Sequence, residues 1–379
     1  MQSSYLFGDI QIDMTRKKPA ATRTKAKKPP KAPIATAVAH LCPGARAARM
    51  PSIVHPMLAT LVDDPFSNPE WIFETKWDGF RSLCFIQNGN ARFVSRNQLD
   101  MTHQYPELVE VGKQVGAREA ILDGEIVALD RDGMPRFQLL QPRVGRKKKS
   151  DIEALLGKAK IVYFAFDLLY VDAYDLMSCS VVERKAALEK ILRPASFIKF
   201  SEHIAGEGEA FFVQIEKFRL EGMMAKRAAS HYLQRRSSDW LKVKTVERSE
   251  VVVAGYTAPR GARSHFGALV VGLYRDKKLH YVAHVGGGFN QKTLAGIYKL
   301  MQPLKMKKSP FVDPPKTNEP VQWLRPKLVA EVKFSEWTAD GHLRHPVFVG
   351  LREDKRPDQC RFETQKATEM VVGKGRRKS

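Results

Sequence analysis

Cysteine is scarce in this chain: among 379 residues only Cys42, Cys84, Cys179 and Cys360 occur, and none lies near another in sequence. Such spacing suggests neither a zinc site nor a disulfide framework and fits a reducing, intracellular setting. Long apolar runs are also missing. None approaches the ~20 residues that cross a bilayer, and the N-terminus lacks the basic-then-apolar order of a secretory signal, so a cytoplasmic protein free of membranes is expected. The ten histidines show no metal-ligand spacing. The glycine-rich HVGGGF at 284–289 has neither dinucleotide nor P-loop spacing and reads as a turn. Acidic residues are in short supply as well. Against 41 Asp and Glu stand 63 Lys and Arg, a net charge of +22, which is the balance of a protein that meets polyanions without saying which polyanion. With 43% hydrophobic residues, the chain can supply cores for two domains of ordinary size.

The texture of the chain changes along its length. Residues 14–50 hold ten Lys or Arg and no acid, mixed with Pro, Ala and Thr, a composition that buries too little apolar surface to offset chain entropy. A disordered basic arm over 1–50 is expected, acting either as a solubilising tail or as an electrostatic tether. The GKGRRKS ending suggests a similar basic tail over 366–379. Between 51 and 245, strand-like AILDGEIVALD and KIVYFAFDLLYVD alternate with the helical patterns 181–192 and 207–220, as in an α+β domain. From 246 to 365, short alternating strands with turn signals at 276–278 and at Asp340-Gly341 predict a small β-barrel or sandwich. One helix, 291–301, interrupts it behind an N-cap at Asn290. The segment 244–250 is the natural hinge.

The sharpest local signal is ETKWDGFR at 74–81. A lysine amine attacks only when neutral, and an ordinary pKa of ~10.4 leaves almost none neutral near pH 7, so a nucleophilic Lys76 needs burial or neighbouring cations to lower that value. The spacing alone also suits an exposed strand-end turn cornered by Asp78-Gly79. FVSRN (93–97), LDGEIV (122–127), FAFDLLY (164–170), EGMMAKR (221–227) and WLKVK (240–244) follow in order. This series resembles that of the covalent nucleotidyltransferases, the superfamily of DNA ligases, RNA ligases and mRNA-capping enzymes. The resemblance runs from about 56 to Lys355, where VAEVKFSEWTADGHLRHPVFVGLREDK (329–355) looks like the end of the ligase domain of bacterial end-joining DNA ligases. Met223 and Met224 stand where branched aliphatics are commoner in the family.

That resemblance implies a fold and a set of roles. The fold would be an α+β nucleotidyltransferase domain, with ATP-grasp-like antiparallel sheets and helices, followed by an all-β OB-fold barrel. Lys76 would take AMP from ATP through a phosphoramide bond, with Asp78 beside it in the motif and Glu74 in the nucleotide site. Arg81 and Arg96 would grip the sugar-phosphate of ATP or the 5′-phosphate of DNA, a task suited to a planar, permanently charged fork. Glu125 would bind the ribose hydroxyl or a metal, and Glu221 would place a divalent cation, Mg²⁺ or Mn²⁺. Phe166 would stack on adenine, although its residue type and strand fit core packing equally well. Lys226, Lys242 and Lys244 would surround the α-phosphate and lower the pKa of Lys76. Arg352, Asp354 and Lys355, in REDK, would swing over ATP to orient the leaving pyrophosphate and then withdraw.

The implied activity is a monomeric, nucleoid-associated ATP-dependent ligase that seals nicks or ends in duplex DNA, with the Ku end-binding protein as a partner. Two rivals remain. An RNA ligase or capping enzyme shares the superfamily, although capping enzymes usually lack the lysine found here as Lys226. A catalytically dead DNA-binding scaffold would keep the fold without need of Lys76, Glu125, Glu221, Lys242 and Lys244.

Overall fold

The computed structural model describes residues 38, 40–193, 195–259, 261, 263–315, 317 and 319–373. Two antiparallel-dominated sheets build the first domain. The larger runs in the order Arg46–Ala47, Tyr174–Asp175, Lys160–Val171, Glu119–Leu129, Phe80–Gln87, Asn90–Ser95, with Ile198–Phe200 pairing in parallel onto Lys160–Val171. The smaller runs His203–Gly206, Asn68–Thr75, Gly222–Arg227, Arg236–Lys244, Leu58–Leu61.

The long strands read as nearly continuous apolar runs because both of their faces are covered. One face of the larger sheet packs on helix Val181–Ile191 through Ala187, Leu188 and Ile191. Its other face meets the smaller sheet, where Leu83, Phe85 and Ile121 pack against Ile72 and Trp240. Helix Gly208–Lys217 covers the outer face of the smaller sheet with Phe211, Phe212 and Ile215. Ser180 caps the first helix in a reciprocal capping box with Glu183.

Strand Arg236–Lys244 ends and strand Arg248–Thr257 begins across 245–247. The second domain is a sheet ordered Lys278–Val285, Leu269–Arg275, Arg248–Thr257, Val321–Lys333, Lys305–Met306, with Val347–Leu351 also on Val321–Lys333. A parallel bridge between Gly287 and Val347 brings the far edge round to that last strand, so the sheet curls closed into an OB-fold barrel. Val252, Val253, Val270, Val271 and Val282 are fully buried inside it. Each such side chain contributes about 1.5–3 kcal/mol relative to exposure. Helix Gln291–Met301 starts behind Asn290, whose side chain accepts from the Thr293 N–H.

Both ends depart from the expected basic tails. Residues 1–37 and 39, most of the expected arm, and 374–379, the last six residues of the expected tail, lie outside the described residues. Residues 38 and 40–50, however, are docked: Val38 and Cys42 are buried in the core of the larger sheet, and Arg46–Ala47 pairs with Tyr174–Asp175. The aliphatic and thiol groups of this stretch outweigh its two arginines once a receptive surface is present. At the other end, Lys366 bridges Val62, Thr368 bonds to Asp63, and Val371 and Val372 pack against the first domain. The chain therefore returns to its first domain after completing its second. The four cysteines are free and buried, and burial, with the Cys179 thiol beside it, pushes the Cys42 thiol up to about 12.

Candidate active site

Strand register assembles the site. Antiparallel pairing sets Met224 opposite both Glu74 and Lys242, Lys226 opposite Trp240, and Gly222 opposite Lys244. Cross-strand partners point to the same face and alternate residues share it. Glu74, Met224, Lys226, Trp240, Lys242 and Lys244 therefore line the inner face of the smaller sheet. Lys76 continues this series just past Thr75, its N–H donating to the Gly222 carbonyl at 2.9 Å. Across the crevice, Arg81 pairs with Glu125 in the larger sheet.

The Lys76 turn is held from both sides. Trp77 stacks on Phe164 with ring centroids 3.7 Å apart and donates to the Ser201 hydroxyl at 3.0 Å. A Cβ on Gly79 would come within 2.2 Å of the Ile126 carbonyl oxygen, so only glycine lets the turn lie against strand Glu119–Leu129. The Lys76 side chain remains 21% exposed and forms an ion pair with Glu221. Solvent, and hence substrate, can reach it.

The electrostatics reverse one expectation. Burial pulls the Lys76 pKa down, but Glu221, with Glu125 and Asp78 behind it, outweighs burial and holds the ammonium above its ordinary value. The lysines expected to depress it are each engaged elsewhere. Lys226 pairs with Glu74, Lys242 with Glu363 at 2.7 Å, and Lys244 donates to the Arg248 carbonyl at 2.8 Å. The charges of Lys226 and Lys242 are thus matched by carboxylates, which weakens their field on a third group. Burial still lowers Lys242 to about 8, against the pull of Glu363.

Other residues named from the sequence divide into those at the crevice and those beneath it. Arg81 is committed to Asp123 through two hydrogen bonds of 3.1 and 2.6 Å, and the Tyr232 hydroxyl donates to the same carboxylate at 2.6 Å. Its guanidinium lies 5.4 Å from the centroid of Phe166, and the Lys226 ammonium lies 4.5 Å from that ring. Glu74 is buried and forms ion pairs with both Lys185 and Lys226, so it anchors these two lysines beneath the crevice. Burial pushes Asp78 up to about 6, with Glu221 and Glu331 adding and Arg248 opposing at 3.0 Å.

The second domain closes the crevice. The Arg352 guanidinium bonds to Glu331 at 2.8 Å and to both oxygens of Asp354 at 2.9 Å, and sits 5.2 Å over the ring of Phe80 and 5.0 Å over that of Phe137. Asp354 thus positions Arg352. Lys355 pairs with Glu250, which also takes Arg96 at 3.4 Å. Sequence reasoning missed Arg248, Glu331, Glu250 and Glu363. Glu331 lies inside the ligase-like stretch 329–355, and Arg248 and Glu250 lie inside the hinge 244–250, but nothing local marks these side chains as partners of the site, and only the return of the C-terminal segment brings Glu363 to Lys242.

The Glu125 side chain makes no hydrogen bond or ion pair within the described residues, and burial pushes its carboxyl up to about 8. A desolvated carboxylate without a partner suits a cation or a hydroxyl donor. Among the described residues no three His, Cys, Asp or Glu form a preassembled metal cage. Glu125 and Glu221 still fit Mg²⁺, which is ordinarily held by one or two carboxylates together with substrate phosphates.

The raised Glu125 pKa makes a stability prediction. Folded protein binds this proton up to about pH 8, whereas the ordinary value is 4.5, so stability falls as pH rises through that window. Glu125→Gln is therefore expected to raise Tm at about pH 9 by a few degrees, at ~2–4 °C per kcal/mol, and to change it little at about pH 5. Thermal unfolding at the two pH values checks this. An equal gain at both would mean that charge burial is not the cause.

These observations agree with comparisons to known proteins. The family described as "ATP dependent DNA ligase domain" matches residues 56–244, and "ATP dependent DNA ligase C terminal region" matches 262–355. A multifunctional non-homologous end joining protein LigD of Pseudomonas aeruginosa is 38% identical over 313 residues, which is 81% of this chain and 36% of that protein. A DNA ligase of Thermococcus fumicolans is 31% identical over 309 residues, 77% of this chain and 53% of its own. The chain thus spans only about a third to a half of these relatives. A solved structure, mycobacterial DNA ligase D complexed with ATP and MES, superposes with a TM-score of 0.60 at 32% identity, covering 83% of this chain and 98% of that one. Since the likeness extends through both domains and almost the whole of that structure, the chain belongs to the ATP-dependent DNA ligase family.

Proposed function

We propose that the chain seals breaks in duplex DNA in three nucleotidyl transfers centred on Lys76. The Lys76 amine attacks the α-phosphorus of ATP, forming a P–N bond to AMP and releasing pyrophosphate. A DNA 5′-phosphate then takes the AMP, breaking the P–N bond and returning the lysine. Finally the neighbouring 3′-hydroxyl attacks that phosphate and expels AMP. The observation that carries this reading is the reachable Lys76 ammonium, paired with Glu221 and close to Glu125, whose carboxyl Arg352 also attracts.

The residues of the chain divide the work. The Lys76 proton must leave before attack; the ion pair with Glu221 holds that proton on the amine and keeps the carboxylate below its usual range, so the pair must loosen before the amine can be freed. Lys242 and Lys244 serve the α-phosphate once Glu363 gives up Lys242, while Arg352 orients the leaving pyrophosphate. Phe166, with Lys226 and Arg81 beside its ring, supports adenine. Mg²⁺ or Mn²⁺ held by Glu125 and Glu221 would supply charge neutralisation at the phosphate oxygens and compete for the Glu221 carboxylate. The names of the LigD relatives favour end joining as the pathway; Ku as the partner that delivers ends belongs to the same proposal. No described helix is long and apolar enough to cross a membrane, and a monomer working on nucleoid DNA in the cytoplasm completes the reading.

One experiment tests it in two stages. Incubation with Mg²⁺ and labelled ATP, GTP or NAD should leave a covalent label from ATP alone, and the labelled protein should then seal nicked DNA. Comparing nicked, cohesive and blunt DNA with nicked RNA assigns the substrate. No covalent label from any nucleotide would leave a DNA-binding scaffold, and sealing confined to RNA would favour an RNA ligase.

A further inference from the structure

The strand Val347–Leu351 delivers Arg352 to the crevice, and its last residue is gripped by a side chain of the first domain. Gln141, in the short 3-10 turn Gln141–Arg143, donates from Nε2 to the Leu351 carbonyl at 3.1 Å and accepts at Oε1 from the Leu351 N–H at 2.7 Å. A side-chain amide has one donor edge and one acceptor edge, so it can pair with a peptide unit as a neighbouring strand would. Asn also carries an amide but is one methylene shorter, and Glu cannot donate when ionised.

Gly350 makes the approach possible. A Cβ on that residue would lie 2.5 Å from the Gln141 Cδ and Nε2, closer than any real contact. The segment after it is also held by neutral groups. Gln104 donates to the Glu353 carboxylate at 2.9 Å, the Gly145 N–H donates to the same carboxylate, and Asn97 donates to the Asp354 carbonyl at 2.5 Å. Among the described residues, Gln141 is the side chain that bonds both the N–H and the carbonyl of Leu351, the residue directly before Arg352.

We propose that Gln141, read against Gly350, is a positioning residue that sets Arg352 over the crevice for the nucleotide-dependent step and has no part in sealing. This rests on the ligase reading above. Hydrogen bonds between neutral groups suit a contact that must form and release in every cycle. Each is worth only a few-fold to about tenfold, whereas a buried ion pair would cost far more to separate. The ion pairs of Arg352, to Glu331 and Asp354, lie within the second domain, and its contacts with the first domain are to the faces of Phe80 and Phe137, which fix no hydrogen-bond direction, so the directional contact comes from Gln141 on the residue before it.

The test separates the two half-reactions in the full-length protein. Gln141→Ala, Gln141→Glu and Gly350→Ala should each slow AMP transfer from ATP to Lys76 by about 10- to 100-fold, mainly in the rate at saturating ATP. Sealing of a nick that already carries AMP should change less than about threefold. The double variant Gln141→Ala with Gly350→Ala should lose no more than Gln141→Ala alone, since the shortened side chain leaves room for the added methyl. Equal loss in both half-reactions would mean general damage and overturn the proposal, as would additive loss in the double variant. If the wild-type protein labels with ATP and Gln141→Ala labels equally fast, the positioning role fails alone; if the wild type never labels, the ligase reading fails first.

Discussion

Lys76→Ala is expected to abolish the covalent AMP adduct, a loss of at least about 10⁴-fold, because no other amine stands between Glu221 and Glu125 to replace it. Lys76→Arg should fail equally. Its guanidinium could keep the ion pair with Glu221 but stays protonated at any pH the protein survives. The arginine variant is the more informative of the two. It preserves the charge that balances Glu221, Glu125 and Asp78, so a folding defect is less of a concern than with alanine, which leaves three carboxylates facing one another. Both variants should retain some sealing of nicks that already carry AMP, since that reaction forms no bond to lysine. Adduct formation is read by labelled ATP and denaturing electrophoresis. Persistence of the adduct in either variant would remove Lys76 from its proposed role.

Arg352→Gln should produce the next largest effect, a fall of about 10²- to 10³-fold in adduct formation, the range seen when one preorganised donor to a developing charge is lost. Its guanidinium is the largest attractive influence on Glu125 and balances Glu331 and Asp354. The same substitution therefore lowers stability, by roughly 3–5 kcal/mol if those carboxylates stay ionised and unpaired. Two measurements keep the effects apart. Thermal unfolding reports stability, while sealing of pre-adenylated nicks reports whether the folded protein still docks DNA. Slow adduct formation with near-normal sealing supports a role confined to the first step. Parallel loss of both would reduce Arg352 to a structural ion pair.

Much of the fold was legible because its signals are local. Helix 291–301 was readable from its apolar spacing and from Asn290 as cap, and it forms over those residues with that cap. The long strands were readable from β-branched and aromatic runs. The basic ends were not. Composition predicted arms, but Cys42 and Val38 find a groove in the larger sheet, and Val371 and Val372 find one beside helix Gly208–Lys217. Local composition cannot show that a distant surface has been shaped to receive a short apolar stretch.

The motif series in the sequence by itself determined which side chains would come together at one crevice, because strands place alternate residues on one face wherever the sheet happens to sit. Only the tertiary structure decided their charge states and partners. From spacing, Lys76 called for a lowered pKa; in the folded chain Glu221 raises it, and Glu74 and Glu363 neutralise the lysines that would have lowered it. Glu363 lies 121 residues from Lys242 in the chain, and Gln141 lies 210 residues from Leu351. Electrostatic and hydrogen-bond energies depend on separation in space within a few ångströms and on exclusion of water, and neither quantity is written in the order of residues.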